Sequence, residues 1–292
     1  MSSAQAPAQL LIRPARPDDA LACGAISYRA FKAINESHGF PPGFSGPEQP
    51  AKLLASLYSH PGFYCIVAES EGRPVGSSYM DERAAIAGIG MVTVDPETQK
   101  SGIGRRMMQS LLDRAARRGC AGVRLIQAAF NLRSLSLYTS LGFEVREPLV
   151  CLQGQTRQRT LPGCVVRPAS NADVEACNLL CLKVHGFHRG TELAEGIQRE
   201  SAVVVERGGH VTGYASSLGW HGHSVAATNL DLQALIASAE SFHGPGILLP
   251  ARDTALFHWG LAQGLRAVLP MTLMSQGLYE EPQGAWTASI IF

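Results

Sequence analysis

The 292-residue chain has almost no net charge, no long apolar run and no basic leader, and each lack removes a class of function. Lys and Arg number 25 against 24 Asp and Glu, so no overall positive field exists to hold nucleic acid or an anionic membrane. Uninterrupted apolar stretches such as 202–205 fall far below the ~20 residues that a spanning helix needs. Residues 1–9 contain neither a basic residue nor an apolar core, which argues against a signal peptide. A cytoplasmic chain with a flexible tail over 1–9, and with no nucleic-acid or membrane partner, is expected. A disulfide framework is lacking too: the seven cysteines are odd in number and spread widely, as in a reduced protein. Cys177, Cys181 and His185 recur every fourth residue, but one helix face rarely closes a tetrahedral metal site, so packing thiols are expected and no metal.

What is present is a globular composition, 46% hydrophobic and 17% charged with mean hydropathy +0.03. The length favours two domains of roughly 150 residues each. Internal similarity marks them. Arg13-Pro14-Ala15 followed by Asp19, Ala22 and Cys23 reappears at the same spacing as Arg167-Pro168-Ala169 followed by Asp173, Ala176 and Cys177. Ile66-Val67-Ala68-Glu69 with Gly72 and Gly76 matches Val203-Val204-Val205-Glu206 with Gly209 and Gly213. One fold used twice is implied. The polar, aperiodic stretch ending in Pro162-Gly163 reads as a linker. The division is therefore a domain at 10–154, a linker at 155–163 and a second copy at 164–292.

In the first copy, alternation and turn residues predict strands at 10–13, 63–69, 74–80, 89–94, 123–127 and 143–150. Helices are predicted from Pro17 to about Ala33, over 48–59, along an apolar stripe through Ile103, Met107, Met108, Leu111, Leu112 and Ala115, and over 131–141. The order βααβββαβαβ gives an α+β class with a mixed sheet and helices on its faces.

Between the 89–94 strand and the next helix stand Gln99-Lys100-Ser101-Gly102-Ile103-Gly104-Arg105. Glycines at a strand-to-helix junction let backbone N–H groups point outward at the helix's positive end, as a pyrophosphate cradle requires. A dinucleotide fingerprint would place a third small residue where Met107 stands, and a P-loop needs a Gly-Lys pair that the chain lacks. The remaining pattern, Gln-x-x-Gly-x-Gly after Val-x-Val-x-Pro, resembles motif A of the GNAT superfamily of N-acetyltransferases. Asn131, Ser134, Leu137-Tyr138 and Leu141-Gly142-Phe143 resemble its next motif, with Ser134 in place of alanine. The resemblance covers 10–152 and implies an acetyl-CoA-dependent enzyme that moves the acetyl group directly to a primary amine of a small molecule or peptide. It further implies that Val92 and Val94 offer backbone groups to the pantetheine arm, that residues 99–105 line the pyrophosphate, that Asn131 contacts the cofactor and that Tyr138 faces its sulfur. A homodimer stays open.

Thioester aminolysis needs a neutral amine, an oxyanion donor and a protonated leaving thiol. A backbone N–H near Val92 and the Tyr138 phenol suit the last two. Many members of the family carry a glutamate in the motif A strand, whereas 88–94 contains no acid. Asp81, Glu82, Glu36 and His38 are then the candidate bases, none assigned. The same lack fits a different class of protein, a non-catalytic acyl-CoA sensor or substrate-capturing module. The aromatic, Pro-rich loop 38–44 is either a substrate lid or plain packing. In the second copy the cradle is replaced by Ala227-Thr228-Asn229-Leu230-Asp231-Leu232-Gln233, Trp259 stands near the tyrosine position and Gly264-Leu265 replaces Gly-Phe. A degenerate acetyltransferase-like domain is expected, with its own cofactor site lost. His221 and His223 read as part of a solvated hairpin.

Overall fold

The computed structural model describes residues 10–99 and 101–291. They fall into two compact units, one formed by the chain up to Glu82 with Ala87–Cys120, the other by Arg83–Ile86 and the chain from Ala121 onward. The first unit contains β1 (Leu10–Pro14), α1 (Ala20–Glu36), α2 (Glu48–Tyr58), β2 (Phe63–Ser70), β3 (Arg73–Asp81), β4 (Ile86–Val94) and α3 (Ile103–Arg117). Its strands neighbour one another antiparallel in the order β1-β2-β3-β4. Ile103, Met107, Met108, Leu111 and Ala115 of α3 are buried, which is the apolar stripe expected from the sequence. The helix keeps Arg105 and Arg106 on its exposed side.

The second unit continues with β5 (Gly122–Ala128), α4 (Leu132–Ser140), β6 (Glu144–Gln153), β7 (Val165–Pro168), α5 (Val174–His185), α6 (Gly190–Gln198), β8 (Val203–Arg207), β9 (His210–Ala215) and β10 (Ser224–Ala226). It ends with α7 (Asn229–Ser238), β11 (Ile247–Pro250), α8 (Thr254–Ala262), β12 (Arg266–Gly277) and β13 (Ala285–Thr287). Five strands lie in the order β13-β10-β9-β8-β7, and four more in the order β5-β12-β6-β11.

That last order explains why the compact units do not coincide with the sequence repeats. β5 and β6 are the last two strands of the first copy, and β11 and β12 are their counterparts in the second, which adds β13. β12 pairs with β5, Leu273 opposite Ile126, and β11 with β6, Leu249 opposite Val150. β6 and β12 then pair with each other, Met271 opposite Leu149. Val150, Leu152, Leu232, Leu235, Leu249, Leu256 and Leu265 share one buried cluster. At ~1.5–3 kcal/mol for each fully buried side chain, this cluster secures the exchange. Residues 155–163 form no regular element yet are packed: the Arg157 N–H donates to the Gln263 carbonyl, and Thr156 and Leu161 are buried.

The duplication seen in the sequence is repeated in hydrogen bonds. Arg13 donates to both oxygens of Asp19 at 2.7 and 2.8 Å and to Glu69 at 2.8 Å. Arg167 makes the same fork on Asp173 at 2.8 and 2.7 Å and reaches Glu206 at 2.9 Å. Each aspartate also accepts a backbone N–H three residues upstream, from Arg16 and from Ser170. The two hairpins share their register as well. Ala68 stands opposite Gly76 and Val205 opposite Gly213, each pair followed by an irregularity on entering the glutamate.

Arg13 holds the Asp19 carboxyl below its ordinary value despite partial burial. The sign follows: the pair stabilises the fold above the unfolded carboxylate pKa of ~3.9 and loses that contribution as pH falls below it. Asp19→Asn is expected to cost about 2 kcal/mol at pH 7, since a charge-assisted fork and a backbone acceptor are both weakened. The cost should shrink toward pH 3, measured as urea midpoints of both proteins. An equal loss at both pH values would contradict the assignment.

Candidate active site

The junction between β4 and α3 carries the features a phosphate site needs. Gly102 caps α3 in the left-handed region, φ 80°, where an L side chain is strained. Among the described residues, its two chain neighbours aside, no heavy atom lies within 4 Å of where its Cβ would stand, so the loop is open on that side. The Arg106 N–H donates to the Gly102 carbonyl. The amides of Ile103 and Gly104 precede that first helical bond, at the helix position where N–H groups ordinarily lack an i−4 acceptor. Their dipoles sum to a partial positive charge at this end. Ile103 is buried and anchors the turn, while Ser101 and Gly102 are exposed.

The loop before it is braced. The Asp95 carboxylate accepts from the Glu97 N–H at 3.2 Å and from Arg29 at 2.5 Å. Ser101 Oγ donates to the Thr98 carbonyl at 2.5 Å, and Gln99 Nε2 donates to the Val94 carbonyl at 3.2 Å. Gln99 therefore spends a polar group on the strand end. Lys100 lies outside the described residues.

β4 itself is irregular. Ser77 pairs with Thr93, but Tyr79 pairs with Gly90, so Met91 and Val92 together oppose the one residue Ser78. Met91 takes φ 43°, a left-handed conformation uncommon for a side-chain-bearing residue and a mark of stored strain. Ser78 Oγ donates to the Gly90 carbonyl at 3.1 Å and pins the bulge. The Asp95 N–H donates to Val75 of β3. By strand alternation Thr93 shares that direction, and the backbone groups of Val94 and Val92 point away from β3. The sequence carried no sign of the bulge, because nothing in the residue type of Met91 announces a positive φ.

In the second unit, Asn131 is the N-cap of α4: its side-chain oxygen accepts from the Ser134 N–H at 3.1 Å. Tyr138 lies on the same helix, buried, with Phe143 at 6.1 Å between ring centroids. Burial pushes its phenol up to about 12, and a hydrogen bond with Ser134 offsets part of that rise. The substitution of serine for alanine in this motif thus places a hydroxyl beside the phenol.

The candidate bases differ in their partners. Glu82 receives Arg114 at 2.6 Å and Arg118 at 3.3 Å, and Arg114 stacks on Tyr64 at 3.9 Å. Two guanidiniums thus occupy its carboxylate. Glu36 faces Lys32 on the surface at 4.0 Å, and His38 Nδ1 lies 2.9 Å from the Ile34 carbonyl. The loop after α1 folds back on its own helix: the Phe40 N–H donates to the Asn35 carbonyl, and Phe44 meets Phe31 edge-on at 5.5 Å.

The second copy keeps the frame and loses the cradle. Eight residues join strand to helix in the first copy, 95–102, and only two in the second, 227–228. Thr228 caps α7, and the Asp231 carboxylate lies buried in the first turn, held by Arg207 at 2.9 Å, Thr212 at 2.8 Å and Thr228 at 2.5 Å. An internal carboxylate occupies a helix start of the kind that binds phosphate. The tyrosine counterpart is Gly260, one residue beyond Trp259. The Leu265 N–H donates to the Gly260 carbonyl as the Phe143 N–H does to Tyr138, and Asp253 caps α8 as Asn131 caps α4. The histidine pair is corrected more sharply. His223 is 1% exposed, bonded to Tyr214 at 2.8 Å and Glu192 at 3.0 Å, because it enters β10 facing the core. It is no part of a solvated hairpin. Cys177 and Cys181 pack in the apolar core of α5, and no three His, Cys, Asp or Glu among the described residues are placed to hold a metal ion. No helix among them is long and apolar enough to cross a membrane.

Residues 31–143 match the acetyltransferase (GNAT) family. The ribosomal protein bS18-alanine N-acetyltransferase of Escherichia coli K12 is 40% identical over 52 residues, 18% of this chain and 35% of that protein. The chain thus spans about a third of the length of the curated relatives it matches. A putative acetyltransferase from Pyrococcus horikoshii superposes with TM-score 0.73 at 20% identity, over 97% of this chain and 94% of that one. A GCN5-related N-acetyltransferase from Sphaerobacter thermophilus gives 0.59 at 13% identity, over 93% and 96%. At such identities the likeness shows the fold alone.

Proposed function

From a chain whose residues 31–143 carry a domain of the acetyltransferase (GNAT) family, we propose an acetyl-CoA-dependent N-acetyltransferase acting on a primary amine of a small molecule or peptide. The observation that carries this is the open, glycine-capped start of α3 following a bulged β4. The amides of Ser101 to Arg105 bind the pyrophosphate, with Gln99 and Lys100 leading into them, and the backbone of Val92 and Val94 meets the pantetheine arm. Asn131 orders the α4 start beside the cofactor, and Tyr138 gives a hydrogen bond or proton to the departing sulfur. The amine attacks the thioester carbonyl, an N–H beside the bulge steadies the oxyanion, and the C–S bond breaks as the thiolate is protonated.

The relatives' names include a ribosomal-protein alanine N-acetyltransferase, which keeps a peptide terminus among the acceptors. A terminal α-amine near pKa ~7.7–8.0 is partly neutral at pH 7 and lightens the demand for a base. That agrees with the acid-free 88–94 strand and the doubly paired Glu82. The same two observations favour a second reading, an acyl-CoA sensor without transfer. Thiol release from acetyl-CoA with a panel of amines and N-terminal peptides separates the two. Release that rises with one amine supports the enzyme, and saturable cofactor binding without release from any amine leaves the sensor.

A further inference from the structure

The bulge in β4 rests on a packing contact that dictates a residue type. A Cβ on Gly90 would press into the Tyr79 hydroxyl and stand 2.5 Å from Cζ and 2.6 Å from Cε2, far inside the ~3.5–4.0 Å of ordinary carbon contact. The Tyr79 ring therefore crosses from β3 and lies on the bare backbone of Gly90. It has little room to swing aside, because Tyr79 is 1% exposed and Phe63 of β2 meets it edge-on at 5.9 Å. Phe63 is backed in turn by His60 at 5.1 Å. A second anchor lies just past the bulge. Thr93 Oγ1 stands 3.1 Å from Ser27 Oγ of α1 and 3.4 Å from Ser77 Oγ of β3, and all three residues are buried. Two fixed points thus bracket Met91 and Val92: Gly90 beneath the ring with its carbonyl held by Ser78, and Thr93 among hydroxyls.

The second copy is an internal control. Gly213 stands opposite Ala226 as Gly76 stands opposite Val94, and the Ser216 N–H donates to the His223 carbonyl, so Ala215, Ser216 and His223 take the places of Ser78, Tyr79 and Gly90. There the register runs unbroken, with Ser224 alone opposite Ala215. A side chain replaces the glycine, the ring and the pinning hydroxyl are gone, and so is the extra residue. The copy without the phosphate cradle lacks all parts of the device together.

We propose that Tyr79, seated on Gly90, is the positioning residue for the acetyl thioester: it holds the bulge in the one conformation that aims a β4 backbone N–H at the thioester carbonyl. The inference rests on reading the first copy as an acetyl-CoA site, and Tyr79 acts through β4, not on the reacting atoms.

The test uses the full chain and acetyl-CoA isotopically labelled at the thioester carbonyl, followed by carbon NMR, calorimetric Kd and thiol release. Bound to the wild-type protein, the carbonyl signal should move downfield of free acetyl-CoA, as hydrogen bonding to its oxygen requires. Gly90→Ala and Tyr79→Leu should each return the signal most of the way and lower kcat by about 10²-fold. The Kd for acetyl-CoA should change by less than about threefold, because the pyrophosphate is held elsewhere. Tyr79→Phe, which leaves a ring on the glycine, should retain most of the shift and of the turnover. Since both single variants break one contact, the double variant should be no worse than the worse of them. Two independent variants keep the test open should one fold poorly. The carbonyl shift needs no amine, so a wild-type protein that moves the signal yet releases no thiol would remove the transfer reading and leave this inference standing. A carbonyl unshifted on binding, a wild-type shift in folded Gly90→Ala or Tyr79→Leu, or a Tyr79→Phe protein as impaired as Tyr79→Leu would each overturn the proposal.

Discussion

Gly104→Val is expected to raise the KM for acetyl-CoA by about ten- to a hundredfold while leaving the fold intact. The loss corresponds to one charge-assisted hydrogen bond of ~1.5–3 kcal/mol, because a branched side chain in the first turn of α3 keeps the phosphate from the backbone amides. The same change helps the helix slightly, since valine has better helix propensity than glycine. Gly104 is therefore a cleaner probe than Gly102, whose φ of 80° would add backbone strain to any loss of binding. Unchanged KM in a folded Gly104→Val protein would move the pyrophosphate away from this turn.

Tyr138→Phe is expected to lower kcat by ~10²-fold with the KM for acetyl-CoA largely spared, the pattern of an interaction made mainly in the transition state. Burial that lifts the phenol to about 12 sharpens the expectation. A thiol near ~8.5 is the stronger acid, so full transfer from Tyr138 to the thiolate runs uphill by roughly 5 kcal/mol. The phenol then acts chiefly as a hydrogen-bond donor to the developing charge. It stays protonated across the working range, and any alkaline limb of the rate below about pH 11 belongs to another group. Wild-type turnover in Tyr138→Phe would return the ring to a packing role beside Phe143.

Much of this arrangement is legible in the residues alone, and the limits have physical causes. The Arg13–Asp19 and Arg167–Asp173 forks are local contacts six residues apart, so spacing records them directly. The α3 stripe and the glycine cap follow from helical periodicity and from the one residue type that tolerates a left-handed turn. Strand exchange between the copies is different. β6 and β12 bury alternating faces whichever neighbour they have, and hydrophobic pattern fixes a face, never the identity of the adjacent strand. The bulge at Met91 is equally silent, because tertiary packing imposes a conformation that methionine does not prefer. His223 misleads for a related reason: a polar residue between glycine and a short strand looks solvated until Glu192, Ser216 and Tyr214 gather round it.

The short connection before α7 bears most directly on the proposed division of labour between the copies. Its helix start is already filled by the Asp231 carboxylate, and Arg207, Thr212 and Thr228 satisfy that group. A diphosphate there would face a buried negative charge at close range, with no glycine to admit it. The decisive measurement is isothermal titration of the full chain with acetyl-CoA. The account predicts one molecule bound per chain, abolished or greatly weakened in Gly104→Val and untouched in a variant altered at the exposed Leu230. Two equivalent sites per chain, or one site that survives Gly104→Val unchanged, would contradict it.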